Sequence, residues 1–144
     1  MSGTSSFGRG LAMDTSGQYV VACSSSGVYR STNYGASFSI IKSVTSSTCW
    51  CASDSTGSYI GVSTNSASSS SLVLWSSNGG SSFSSTTTNL ANANVASNSD
   101  GSVMILSTNT GALYASYNLA GLTVINSTIR AWSAIDLNPA GNQI

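Results

Sequence analysis

Residues 11–22 read Leu11-Ala12-Met13-Asp14-Thr15-Ser16-Gly17-Gln18-Tyr19-Val20-Val21-Ala22. An apolar stretch runs into an acid, the chain turns through a Gly, and a short apolar, β-branched run follows. Asp opens such a turn because its side chain can bond the backbone two residues on, and Gly closes it because it accepts positive φ without a Cβ clash. Apolar runs this short, bounded by turn residues, suit strands buried on both faces.

The pattern recurs. Segments 51–62 (CASDSTGSYIGV), 95–106 (VASNSDGSVMIL) and 133–144 (SAIDLNPAGNQI) align with it by eye. The acid or amide falls at Asp14, Asp54, Asn98 and Asp136, in steps of 40, 44 and 38 residues. A second element follows the first three copies: GVYRSTNYGASF at 27–38, LVLWSSNGGSSF at 72–83 and ALYASYNLAGLT at 112–123, with its Ser at Ser31, Ser76 and Ser116. From first marker to this Ser is 17, 22 and 18 residues. The longer second unit carries the polar stretch Asn65–Ser71, as a lengthened surface loop would.

Each unit reads as four short strands. In the first these are Arg9–Met13, Gln18–Cys23, Gly27–Ser31 and Ala36–Ile41, and the single Pro, Pro139, sits in a turn. A four-stranded antiparallel unit of about 40 residues is the size of one β-propeller blade. One such sheet cannot bury both faces alone, and stacked blades solve that problem. A β-sandwich needs strands that switch sheets, which so regular a period disfavours, and β-solenoid coils are usually shorter. The expected fold is therefore all-β: a single partial propeller over 1–144, with blades at about 8–44, 45–90 and 91–128 and a partial blade at 129–144.

The second element resembles the Asp-box, the Ser-x-Asp-x-Gly-x-x-Trp/Phe motif of bacterial-neuraminidase-repeat (BNR) propellers. The copies are Ser31-Thr32-Asn33-Tyr34-Gly35-Ala36-Ser37-Phe38 and Ser76-Ser77-Asn78-Gly79-Gly80-Ser81-Ser82-Phe83, with a decayed one at Ser116-Tyr117-Asn118-Leu119-Ala120. Asn replaces Asp in all three, and the third lacks the Gly and the aromatic. The resemblance implies a turn between the third and fourth strands of each blade, tied by the Ser and Asn side chains over the aromatic. It implies structure, not chemistry, because the family spans sialidases, sortilin-type receptors and photosystem assembly factors.

Composition narrows function. The chain has 144 residues, of which 35 are Ser and 14 Thr. Only 6% are charged: Asp14, Asp54, Asp100, Asp136, Arg9, Arg30, Arg130 and Lys42, with no Glu and no His. Four scattered cations make no basic stripe for nucleic acid. Without His there is no imidazole for acid–base work, metal ligation or activation of a Ser or Cys nucleophile. Sialidases, which resemble this chain in their Asp-boxes, need three convergent Arg and a Tyr–Glu pair. The paired carboxylates of other glycosidases are also missing, since turn chemistry accounts for all four acids. No enzyme, cofactor or metal is expected. At 40% hydrophobic residues the chain can build a core. No run approaches the 18 apolar residues of a membrane span, and the first residues lack the basic and apolar regions of a signal peptide.

The remaining candidates are few. Cys23 can bridge Cys49 or Cys51, or all three can be small buried hydrophobes. Trp50, Trp75 and Trp132 can pack between blades or stack on sugars, Trp50 and Trp132 sharing one frame position; Tyr29, Trp75 and Tyr114 lie just before the Asp-box Ser. Asn126-Ser127-Thr128 is an N-glycosylation sequon. Three units and the start of a fourth leave an open wedge with bare apolar faces and few charged guards, since propellers usually close with 4–8 blades. The expected function is a structural or adhesive propeller module at an extracellular, cell or virion surface, completed by copies of itself or by further blades. A lectin-like propeller is the second expectation, and a sialidase-like glycosidase the third.

Overall fold

The computed structural model describes residues 7–65, 71–88, 93–108, 111–127 and 132–144. Among the described residues are twelve strands: β1 (Phe7–Met13), β2 (Val20–Ser24), β3 (Gly27–Ser31), β4 (Ser39–Ser43), β5 (Thr48–Ser53), β6 (Ile60–Asn65), β7 (Ser71–Ser76), β8 (Ser84–Thr88), β9 (Asn94–Ser97), β10 (Val103–Ser107), β11 (Leu113–Tyr117) and β12 (Thr123–Asn126). They form three antiparallel meanders, β1 to β4, β5 to β8 and β9 to β12. The sheets stack through their first strands, β1 on β5 and β5 on β9, as propeller blades do around an axis.

Strand limits differ from the sequence reading where side chains hold the turns. The second strand starts at Val20, not Gln18, because the Tyr19 amide is tied to the Asp14 carboxylate at 2.9 Å. The fourth starts at Ser39, not Ala36, because Ser37 donates its amide to Asn33 Oδ1. Residues 132–138 form no strand, although Asn94 Nδ2 on β9 donates to the Ser133 carbonyl at 3.1 Å.

Alternation gives each blade two faces. One, here the leading face, turns toward the preceding blade, and the other, trailing face turns toward the next. Val21, Cys23 and Val28 on the trailing face of blade 1 meet Ile60, Val62 and Leu74 on the leading face of blade 2. Those last three are at most 1% exposed, worth about 1.5–3 kcal/mol each by burial. A smaller core of Val73, Ala93 and Leu106, flanked by Trp75 and Tyr114, joins blades 2 and 3. Blades 1 and 2 approach closely at Gly10, where any Cβ would collide with the backbone of Trp50 and Cys51. The wall between blades 1 and 2 is also covalent, through a disulfide from Cys23 on β2 to Cys49 on β5.

Candidate functional site: hairpin turns and the clefts between blades

The outer turns, between the third and fourth strands, are built alike in blades 1 and 2. Ser31 Oγ donates to Asn33 Oδ1 at 2.9 Å and accepts the Gly35 amide at 2.9 Å. Asn33 Oδ1 accepts the Ser37 amide at 2.9 Å, and Asn33 Nδ2 donates to Ser37 Oγ at 2.9 Å. Ser76, Asn78, Gly80 and Ser82 repeat every bond. Phe83 packs on the core between blades 1 and 2, while Phe38 is half-buried. Asn thus does the work expected of Asp, because these bonds need an oxygen acceptor and not a charge.

The third copy departs from that expectation. Its turn is one residue shorter: the Ala120 amide bonds the Tyr117 carbonyl, and Asn118 and Leu119 take φ of 49° and 59°. Asn118 therefore stands where Gly79 does and cannot reach Ser116. The Ser116 hydroxyl is buried without a hydrogen-bond partner.

The inner turns, between the first two strands, obey one rule. The marker side chain accepts the amide five residues on: Asp14 from Tyr19, Asp54 from Tyr59, Asn98 from Val103. In the fourth unit the residue in this role is Asn138, which accepts from Gln143 at 3.1 Å, and not Asp136. The steps are then 40, 44 and 40 (54 − 14, 98 − 54, 138 − 98). Alignment on the glycines three residues after each marker (Gly17, Gly57, Gly101, Gly141, all at positive φ) would have found it. Asp136 is exposed and accepts only its neighbour's amide, from Leu137. The correction also separates two tryptophans: Trp50 lies 4 residues before its marker (54 − 50) and Trp132 6 before (138 − 132). Trp50 is half-buried on β5, and Trp132 donates Nε1 to the Gly111 carbonyl at 3.0 Å.

These turns are also joined across blades, a feature the sequence reading did not reach. The Thr15 amide donates to the Ser55 carbonyl, Ser55 to Ser99, and Ser99 to Pro139, at 2.9, 2.9 and 3.1 Å. Pro139 accepts but has no N–H to pass on. The acids beside this ladder are occupied by turn bonds. Hydrogen bonding from the Ser16 hydroxyl, chiefly, holds the Asp14 carboxyl below its ordinary value, and the Ser102 side chain does the same for Asp100.

Two clefts lie between blades on the trailing side of β3 and β7. In the first, Arg30 covers the Tyr19 ring at 4.4 Å and donates to the Gly79 carbonyl at 2.7 Å and the Gly57 carbonyl at 3.2 Å. Arg30 therefore acts as a strut between the blades. At the same frame position, one residue before the outer-turn Ser, blade 2 carries Trp75. There the cleft toward blade 3 is larger, about 360 Å³ against about 220 Å³ beside Arg30, with Tyr59, Trp75 and Asn118 among its walls. Tyr29 and Tyr114 lie one position earlier and turn to the opposite face, Tyr29 pairing with Ala22 and Ile40 and Tyr114 packing toward blade 2.

The remaining candidates fall as follows. Cys51 keeps a free thiol, and burial pushes it up to about 12. Asn126 is exposed on β12, and Thr128 of its sequon lies outside the described residues, as does Arg130. Nothing is described of the Arg9 side chain. Among the described residues no cluster of His, Cys, Asp or Glu could hold a metal ion, and no helix is long and apolar enough to cross a membrane.

The leading face of blade 1 is apolar and exposed at Leu11 and Ile40, while Ala22 between them is buried. Leu11, Ala22, Tyr29 and Ile40 line up across its four strands. Leu11 is 63% exposed, whereas Cys51, its counterpart in blade 2, is 7% exposed. Gly57, Gly101 and Gly141 each receive a side chain of the preceding blade (Tyr19, Tyr59 and Val103), but no described atom lies within 4 Å of where a Cβ would stand on Gly17.

No protein-family model matches the sequence, and no curated protein matches it. A match among solved structures is the crystal structure of TolB from Acinetobacter baumannii, a β-propeller-like protein. It superposes with a TM-score of 0.68 at 11% identity over 98% of this chain. The chain spans 37% of the length of that protein. The likeness establishes an all-β fold of propeller type, and no more.

Proposed function

We propose that this chain is a non-catalytic Asp-box propeller module, structural or adhesive, whose open blade 1 face is covered by a sheet from a second copy of the chain. The observation that carries the reading is the unfilled position at Gly17, together with the exposed Leu11, whereas Gly57, Gly101 and Gly141 each meet the preceding blade. The missing contact continues an interface already repeated within the chain, so a sheet of the same frame has the complementary shape. Near-zero net charge supports association, since little repulsion opposes it. The Cys23–Cys49 disulfide supports an oxidising setting such as a cell or virion surface. Tied carboxylates, with no Glu and no His, support a role without catalysis.

Sedimentation velocity across a concentration series tests this. The expected result is a mass that rises with concentration, and a shift to monomer in Leu11→Lys and Ile40→Lys. A compact monomer at every concentration overturns the reading, and so does a longer natural polypeptide whose own blades cover this face.

A further inference from the structure

We propose that the cleft between blades 2 and 3 binds a neutral saccharide, with Trp75 as its stacking platform. This deepens the glycan-binding expectation and is independent of self-association, since the cleft lies within one chain.

The argument rests on two clefts built to one plan. Between blades 1 and 2 the position before the outer-turn Ser is Arg30, which reaches the Gly57 and Gly79 carbonyls and leaves a cleft of about 220 Å³. Ile41 lines the same cleft and packs on Gly80. Between blades 2 and 3 neither side chain recurs, and the cleft is larger. Trp75 replaces the arginine and has no long polar arm to cross the gap. Leu119 stands at the position of Gly80, and Ser84 lines the near wall. The resulting 360 Å³ lies within the ~300–1,000 Å³ of small-molecule sites, at the end suited to a mono- or disaccharide.

The lining selects the chemistry. No charged side chain contributes to it, so neither an anion nor a cation is matched. Tyr59 and Trp75 offer half-buried aromatic surface, which suits a ligand with an apolar C–H face. Ser77, Ser82, Ser84 and Asn118 surround it with hydroxyl and amide groups that donate and accept. A ligand apolar on one face and ringed with hydroxyls is a pyranose. No carboxylate or other base lines the cleft to attack a glycosidic bond, so the site binds without turnover.

The test is an amide-detected NMR titration with the methyl glycosides of glucose, galactose, mannose and N-acetylglucosamine. Saturable shifts are expected for the Trp75 indole and the amides of Ser77, Ser82 and Asn118. Trp75→Ala should weaken binding by about tenfold or more, equivalent to about 1.4 kcal/mol. Trp75→Arg is the second variant. It installs the strut of the first cleft, so it should abolish binding while the spectrum of blade 1 stays unchanged and the protein still unfolds cooperatively. No saturable shift with any of the four probes overturns the proposal, as does binding that survives Trp75→Arg in a folded protein. Either failure leaves the sedimentation result untouched.

Discussion

The Thr15 amide donates to the Ser55 carbonyl across the boundary between the first two blades, at 2.9 Å. Ser55 and Ser99 repeat the bond in turn, so solvent-edge turns carry backbone hydrogen bonds that belong to the stack and not to any one sheet. Hydrogen exchange should therefore show the Thr15, Ser55 and Ser99 amides protected together and released together when blades separate. Fast exchange at these three amides, with the strand amides protected, would mean that the ladder does not persist in solution.

Ser76 and Ser116 hold the same frame position and should respond oppositely to truncation. Ser76→Ala leaves the Asn78 and Gly80 amides without their acceptor and should cost about 1–3 kcal/mol. Ser116→Ala removes a buried hydroxyl that bonds nothing and should be neutral or slightly stabilising. Paired denaturation midpoints decide it, and equal losses in both variants would contradict the turn geometry.

Acid should loosen the inner turns. The Asp14 and Asp100 carboxyls are held below the ordinary 3.8, first by hydrogen bonds from Ser16 and Ser102 side chains. A lowered folded-state value contributes stability that is present above about pH 4 and is lost as pH falls through the folded values. Melting temperature should therefore drop on the acid side. Asp14→Asn keeps the acceptor for Tyr19, as Asn98 does for Val103, and should flatten part of that drop. An unchanged acid limb in this variant would locate the titration elsewhere.

The three thiols should separate cleanly by chemistry. Burial raises Cys51 to about 12, so iodoacetamide at about pH 8 should leave the native chain unmodified. Denaturant alone should expose one thiol, on Cys51, and denaturant with reductant all three. Opening the Cys23–Cys49 bond, which spans a sequence separation of 26, should cost about 3–4 kcal/mol of stability. Mass spectrometry that finds Cys51 in the disulfide would reverse the assignment.

The blades themselves were legible in the sequence, because what makes them is local. An Asp or Asn that caps an amide five residues away, a Gly three residues away at positive φ, and a short apolar run all sit within one stretch of chain. The Ser–Asn ties of the first two outer turns were legible for the same reason. The register of the fourth marker was not, because Asp136 and Asn138 both fit the composition and only the amide that Asn138 meets distinguishes them. The third outer turn misled because a one-residue deletion leaves the motif readable while moving Asn118 out of reach of Ser116.

Sequence alone determined how the inner turns of the three blades and the first two outer turns close, how often the unit repeats and that the sheets are antiparallel, since those bonds close within a few residues. Tertiary structure alone decided that Cys23 takes Cys49 and not Cys51, that Arg30 spans its cleft to the next blade while the cleft at Trp75 is larger, and that consecutive turns share a ladder. Each of those joins residues 26 or more apart in the chain, and such partners meet only once the blades stack.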